Sequence, residues 1–219
     1  MRSSIRRTFR EVLMTTPAKM RKIVQEIAAI DKKFLPVIES APLCDLGRSA
    51  PERSHFESLV SSVISQQLAT GAARTINQKF KAASGKVSPK SVYKLDDAKL
   101  REVGLSAAKA KTLKGLATAA LNKEIDFESL HNQEDQLVYQ SLTALWGIGP
   151  WTVDMFMMFQ LGRLDIWPTG DLGVRRGWER IHKSKNEITP EELLKKGGKF
   201  QPYRSVVAWY CWRALDINK

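Results

Sequence analysis

The chain is 219 residues long and sets 35 Lys and Arg against 23 Asp and Glu, a formal net charge of +12. That length buries one good core or two small helical lobes that share a cleft, and the charge favours polyanions, nucleic acid first, while leaving open a basic surface that serves only solvation. Two cysteines, Cys44 and Cys211, exclude a disulfide framework and a four-cysteine zinc or iron–sulfur site, and no apolar run approaches the roughly 20 residues of a membrane helix.

Met1 to Arg10 carries Arg2, Arg6, Arg7 and Arg10. Residues 1–16 read as a disordered basic arm, with a transit peptide or an early start codon as alternatives because Met14 follows. A helical pattern runs from Ile23 to Ile38, and the Pro-, Ser- and Gly-rich stretch Ser40 to Ser54 reads as a long connection. Phe56, Leu59, Val60, Val63, Ile64 and Leu68 then share one helix face. Further helical patterns cover Ala107 to Leu121, Leu137 to Leu145, Thr152 to Leu161, Leu172 to Ile181 and Tyr203 to Leu215. Ser88-Pro89, Gly104 with Ser106, and the capping box Thr189-Pro190-Glu191-Glu192 punctuate them. No segment alternates like a strand, so the expected class is all-α.

Between two of these patterns lies Leu145-Trp146-Gly147-Ile148-Gly149-Pro150-Trp151-Thr152-Val153. Gly147 and Gly149 free the backbone for positive φ and bare N–H groups, and Thr152 can help hold the next helix, whose N-terminus favours a phosphate. Such a turn grips a nucleic-acid backbone without reading sequence. Taken alone, Gly-x-Gly favours a plain helix–turn–helix joint that happens to use glycine.

The longer pattern resembles the helix-hairpin-helix DNA glycosylase superfamily and, within it, the DNA-3-methyladenine (alkylbase) glycosylases. Four runs occur in the order that family shows: Ser61-Ser62-Val63-Ile64-Ser65-Gln66-Gln67-Leu68, Val103-Gly104-Leu105-Ser106-Ala107-Ala108-Lys109, the hairpin at 145–153, and Pro168-Thr169-Gly170-Asp171-Leu172-Gly173-Val174-Arg175-Arg176. The resemblance spans Phe56 to Trp212. It implies a helix-hairpin-helix glycosylase fold over residues 17–219, with two helical lobes flanking a DNA-binding and active-site cleft, in the compact form without the N-terminal β domain of the best-known bacterial relative. Pro150 departs from the basic or polar residue more usual there.

Asp171 falls just before a helical pattern, the position of an N-cap. The cap reading and a catalytic one are compatible, because a helix N-terminus favours negative charge. By resemblance Asp171 is the catalytic carboxylate. A purine alkylated at N3 or N7 is already cationic and leaves without a proton, so one carboxylate suffices to stabilise the oxocarbenium ion or to orient the attacking water. Asp154 and Asp165 read as surface or ion-pair residues, and His55, His131 and His182 as surface or packing residues. Bifunctional relatives carry a lysine where this chain has Trp151, so the resemblance implies base removal without strand cleavage.

Base extrusion needs a wedge and a pocket. By resemblance the corner Gln66-Gln67-Leu68 reaches the duplex, with Gln67 or Leu68 as wedge, although Leu68 also continues an apolar face. Trp212 and Phe159 match pocket aromatics, with core packing as their alternative, and Trp151 joins them as a third candidate for a cationic base. Ser106 is a helix cap by position and a DNA backbone contact by resemblance, and Lys109, Arg175 and Arg176 are candidate phosphate partners. The family also implies a monovalent cation, Na+ or K+, on the carbonyls of Thr143, Leu145 and Ile148, with no other cofactor. The expected function is excision of alkylated purines, 3-methyladenine and also 7-methylguanine, from double-stranded DNA by a monomer, leaving an abasic site. The expected location is the bacterial cytoplasm or the eukaryotic nucleus, with no membrane partner. The alternatives are a non-catalytic helix-hairpin-helix DNA-binding protein and an RNA-binding helical module.

Overall fold

The computed structural model describes residues 15–48 and 52–216. All regular structure among these residues is helical: α1 Pro17–Ile30, α2 Leu35–Ser40, α3 His55–Ser65, α4 Thr70–Ser84, α5 Pro89–Lys94, α6 Asp97–Glu102, α7 Ala107–Leu121, α8 Asp135–Thr143, α9 Pro150–Phe159, α10 Leu172–His182, α11 Pro190–Gly197 and α12 Arg204–Asp216, with three single 3-10 turns. No described helix is long and apolar enough to cross a membrane. The chain divides into two compact units, residues 51–156 and residues 1–50 with 157–219, so the boundary falls inside α9. Most of the expected basic arm lies outside the described residues. Its last two positions belong to the fold instead: the Thr15 amide donates to the Gly47 carbonyl at 2.8 Å, and the Thr16 hydroxyl caps α1 by accepting from the Lys19 amide.

The unit of residues 51–156 is built on α3, whose N-cap Ser54 accepts from the Glu57 amide. Its buried face, Phe56, Leu59, Val60, Val63 and Ile64, meets the buried residues Leu113, Leu116 and Ala117 of α7 in one core. Leu68 does not extend that face: α3 ends at Ser65 and Leu68 is 36% exposed. The expected helix over 152–161 begins earlier, at Pro150, because proline at the first helical position gives up an N–H that has no partner there anyway.

In the other unit, α12 is buried from Ser205 to Cys211 and crosses α10 closely. Gly177 makes the approach possible, since a Cβ at that position would lie 1.9 Å from the Cys211 carbonyl oxygen. Asp165 forms the expected ion pair, with Arg204 at 2.7 Å. The helical pattern expected to run unbroken from Ile23 to Ile38 stops at Asp31, whose carboxylate caps the following 3-10 turn by accepting from the Lys33 amide. The same carboxylate accepts from Lys199 Nζ at 2.9 Å and faces His182 Nε2 at 3.1 Å, so His182 is a partnered residue at the end of α10. Its ring stacks on Trp178 with centroids 4.1 Å apart.

Burial raises the Asp31 carboxyl, but the hydrogen bonds from Lys199, His182 and the Lys33 amide outweigh it and hold the group at about 2. A carboxyl depressed on folding adds stability above its unfolded pKa and loses it as pH falls toward the folded value. Asp31→Asn is therefore expected to cost about 1–2 kcal/mol at pH 7, part of the shift being discounted for solvent screening. Urea unfolding checks this: the gap between variant and wild type should shrink as pH drops below about 4.

Candidate active site

In the unit containing α10 and α12, one carboxylate is held from two sides. Asp171 is the N-cap of α10, and its Oδ1 accepts the Val174 amide at 2.7 Å and the Trp212 indole Nε1–H at 2.9 Å. Gly173 leaves room for this pairing, because a Cβ there would stand 2.9 Å from the Trp212 ring and 3.1 Å from Asp171 Oδ1. Trp212 stacks on Phe159 with centroids 5.7 Å apart and planes inclined by 27°. Phe159 is 54% exposed, which removes core packing as its explanation. The result is a carboxylate fixed against a partly open aromatic pair, a setting suited to a flat, electron-poor cation.

The nearby thiol is no rival nucleophile. Burial pushes the Cys211 thiol well above its usual range, and the charge of Asp171 adds to the effect. Trp151, the third aromatic candidate, is 47% exposed but lies about two turns earlier on α9 and belongs to the other unit.

The hairpin joins α8 to α9. Gly147 adopts φ +82°, and a Cβ there would meet Thr112 Oγ1 at 2.1 Å, so both conformation and contact require glycine. Around Gly149 a Cβ would meet nothing within 4 Å, which leaves that backbone open to a ligand. Ile148 is buried between them and anchors the turn, its amide donating to the Leu145 carbonyl at 3.1 Å. Thr143, half-buried, turns its hydroxyl back to the Tyr139 carbonyl at 2.7 Å. Thr152 is only 3% exposed, and its hydroxyl accepts the Gln66 Nε2–H at 3.0 Å instead of capping α9.

The same Gln66 amide reaches the Gly147 carbonyl at 3.3 Å, so Gln66 ties the end of α3 to the hairpin. Gln67 is exposed and takes φ +56°, a left-handed conformation uncommon outside glycine, and Leu68 follows it at the surface. Ser106 caps α7, accepting from the Lys109 amide at 3.3 Å, and is exposed. The three basic residues expected on phosphates are engaged within the protein. The Lys109 ammonium donates to the carbonyls of Ile64 and Gln66, Arg175 donates to the Ile188 carbonyl, and Arg176 pairs with Glu179 and Glu187. Gly173, Thr112 and the internal role of Lys109 escaped the sequence reading. The one available signal was the placement of Gly173 two residues after the candidate carboxylate.

Comparison with known proteins places this geometry in a family. Residues 60–202 match the model of the HhH-GPD superfamily base excision DNA repair proteins. The chain is 34% identical to DNA-3-methyladenine glycosylase 1 of Schizosaccharomyces pombe over 87% of its own length and 86% of the relative's. It is 28% identical to the alkylbase DNA glycosidase-like protein mag2 of the same yeast, over 94% of this chain and 99% of the relative. Among solved structures, the S. pombe 3-methyladenine DNA glycosylase in complex with abasic DNA superposes with a TM-score of 0.79 at 30% identity, covering 87% of this chain and 95% of that one. A DNA-3-methyladenine glycosidase from Bacillus halodurans gives 0.78 at 32% identity, covering 92% and 91%. The chain belongs to the HhH-GPD superfamily of base excision DNA repair proteins and is an all-helical DNA glycosylase.

Proposed function

We propose that this protein binds duplex DNA, extrudes alkylated purines, 3-methyladenine foremost and 7-methylguanine with it, and hydrolyses their N-glycosidic bond with Asp171 as catalytic carboxylate. The observation that carries the reading is the fixing of Asp171 Oδ1 by the Val174 amide and the Trp212 indole beside the Trp212–Phe159 stack. A cationic base stacked on the aromatic pair needs no proton to depart. As the bond to the sugar breaks, positive charge grows on the deoxyribose, and a preorganised carboxylate stabilises it more than it stabilises the bound substrate. Water then adds at C1′ and loses a proton, leaving an abasic site.

The Gly147-Ile148-Gly149 turn, open around Gly149, supports a backbone grip on a DNA phosphate, with Ser106 at the start of α7 as a further backbone contact. The exposed, left-handed Gln67, with Leu68 beside it, fits the role of wedge in the gap left by the flipped nucleotide. Carbonyls of Thr143, Leu145 and Ile148 fall at the end of α8 and in the turn, where an all-oxygen set suits a hard monovalent cation. When bound, such an ion would bring positive charge to the hairpin, while the catalytic step remains with Asp171.

The side chain of Trp151 has no amine to form a Schiff base with the sugar, which favours glycosylase action without lyase action. Incubation of the monomeric protein with methylated duplex DNA is expected to release free methylpurine and to yield strand breaks only after alkali. Breaks without alkali would overturn the monofunctional reading, and no base release at all would leave a DNA-binding protein without catalysis.

A further inference from the structure

The end of α3 is held by a half-buried cation as well as by Gln66. Lys109 Nζ, projecting from α7, donates to the Ile64 carbonyl at 2.9 Å and to the Gln66 carbonyl at 2.7 Å. These are carbonyls at a helix C-terminus, where intrahelical partners run out and the helix dipole favours a positive charge. Desolvation lowers the pKa of the Lys109 ammonium. The residue that follows this double anchor is Gln67, held at φ +56° although it is not glycine. A left-handed conformation at an ordinary residue persists only where its surroundings impose it. On one side the Lys109 ammonium fixes the Gln66 carbonyl, which belongs to the peptide bond leading into Gln67. On the other, the Gln66 side chain is fixed to Gly147 and Thr152 of the hairpin.

We propose that Lys109 is a positioning residue for base flipping: by clamping the Ile64 and Gln66 carbonyls it holds Gln67 in its left-handed conformation, at a fixed register to the hairpin that grips the DNA backbone. The inference rests on the reading of Gln67 as wedge. It assigns to Lys109 a role in the conversion of bound duplex to flipped complex, and none in the initial electrostatic attraction to DNA. All the groups involved, Lys109, Ile64, Gln66, Gln67, Gly147 and Thr152, lie within the unit of residues 51–156.

The test compares Lys109→Met, which keeps length and removes the ammonium, with Lys109→Arg and Gln67→Ala. Flipping is read from the fluorescence of 2-aminopurine placed beside the lesion, and chemistry from single-turnover base release. Lys109→Met is expected to keep its affinity for undamaged duplex and the salt slope of that affinity, while base release slows about tenfold or more, the scale of losing a charge-assisted hydrogen-bond anchor. Lys109→Arg should restore most of the flipping signal, and adding Lys109→Met to Gln67→Ala should cause little further loss. A salt slope reduced by about one phosphate contact would overturn the proposal and make Lys109 a DNA ligand. So would normal flipping in Lys109→Met alongside defective flipping in Gln67→Ala. Normal flipping in Gln67→Ala would instead sink the wedge reading itself. If Lys109→Met melts too low for assay, Lys109→Gln, which removes the charge and shortens the reach while keeping an amide NH2 to donate, carries the same comparison.

Discussion

Asp171→Asn is expected to lower single-turnover release of methylpurine by about 10²–10³-fold while leaving the fold and the affinity for duplex DNA unchanged. The substitution isolates charge from structure. Asparagine is as good an N-cap as aspartate, and its amide oxygen can still accept both the Val174 N–H and the Trp212 Nε1–H that now hold Oδ1. What disappears is the negative charge that would face the sugar in the transition state. The check is a rate measured with enzyme in excess, together with a melting curve and a binding isotherm. A variant that releases base at the wild-type rate would remove Asp171 from the mechanism. One that unfolds would show that the negative charge itself is needed to hold the fold.

The second large effect concerns the frame on which that carboxylate is mounted. Gly177→Ala places a methyl group 1.9 Å from the carbonyl oxygen of Cys211, 2.4 Å from its carbonyl carbon and 2.8 Å from its Cα. These are backbone atoms that cannot swing aside as a side chain would, so α10 and α12 must separate. Overpacking of this kind costs about 3 kcal/mol. For a chain of this size that corresponds to a melting temperature lower by about 10 °C. Because α10 carries Asp171 and α12 carries Trp212, base release should fall together with stability. Gly115→Ala serves as the contrast: it lies within α7, its Cβ would meet nothing within 4 Å, and alanine there should leave stability unchanged or raise it by about 0.5–1 kcal/mol. Thermal melts of the two variants decide between close helix packing and a general intolerance of alanine at helical glycines.

What could be read in advance was what is local. Ser106, Thr189 and Asp171 were recognisable as caps because the cap bond closes over three residues, and each makes that bond. The limits of α7, Ala107–Leu121, likewise follow from an apolar stripe bounded by a cap. Helix α4 offered no such start, since Ala69 precedes it and provides no side-chain hydrogen bond. The break at Asp31 was hidden for a different reason: the residue is engaged by Lys199 and His182, more than 150 positions away in sequence.

The same division runs through the candidate site. Asp171 stood out by its place before a helix, but its bond to Trp212 spans 41 residues and arises only where α10 meets α12. Lys109 reads from the sequence as a candidate phosphate partner, and its internal engagement was hidden because the carbonyls it meets come from a helix end 43 to 45 residues earlier. Phe159 continued an apolar helix pattern and so admitted core packing, whereas its ring proves half exposed and stacked on Trp212. Amphipathic spacing tells which face of a helix is apolar. It does not tell which members of that face remain open as a binding surface.

A direct measure of the charge at position 171 is the affinity for two abasic duplexes that differ in one respect. One carries a neutral tetrahydrofuran at the lesion site and the other a pyrrolidine, which is protonated and mimics the positive sugar of the transition state. The wild-type protein should bind the pyrrolidine duplex tighter by about 10²-fold, and Asp171→Asn should bind both alike. A preference for the cationic duplex that survives intact in Asp171→Asn would contradict a catalytic carboxylate at this position.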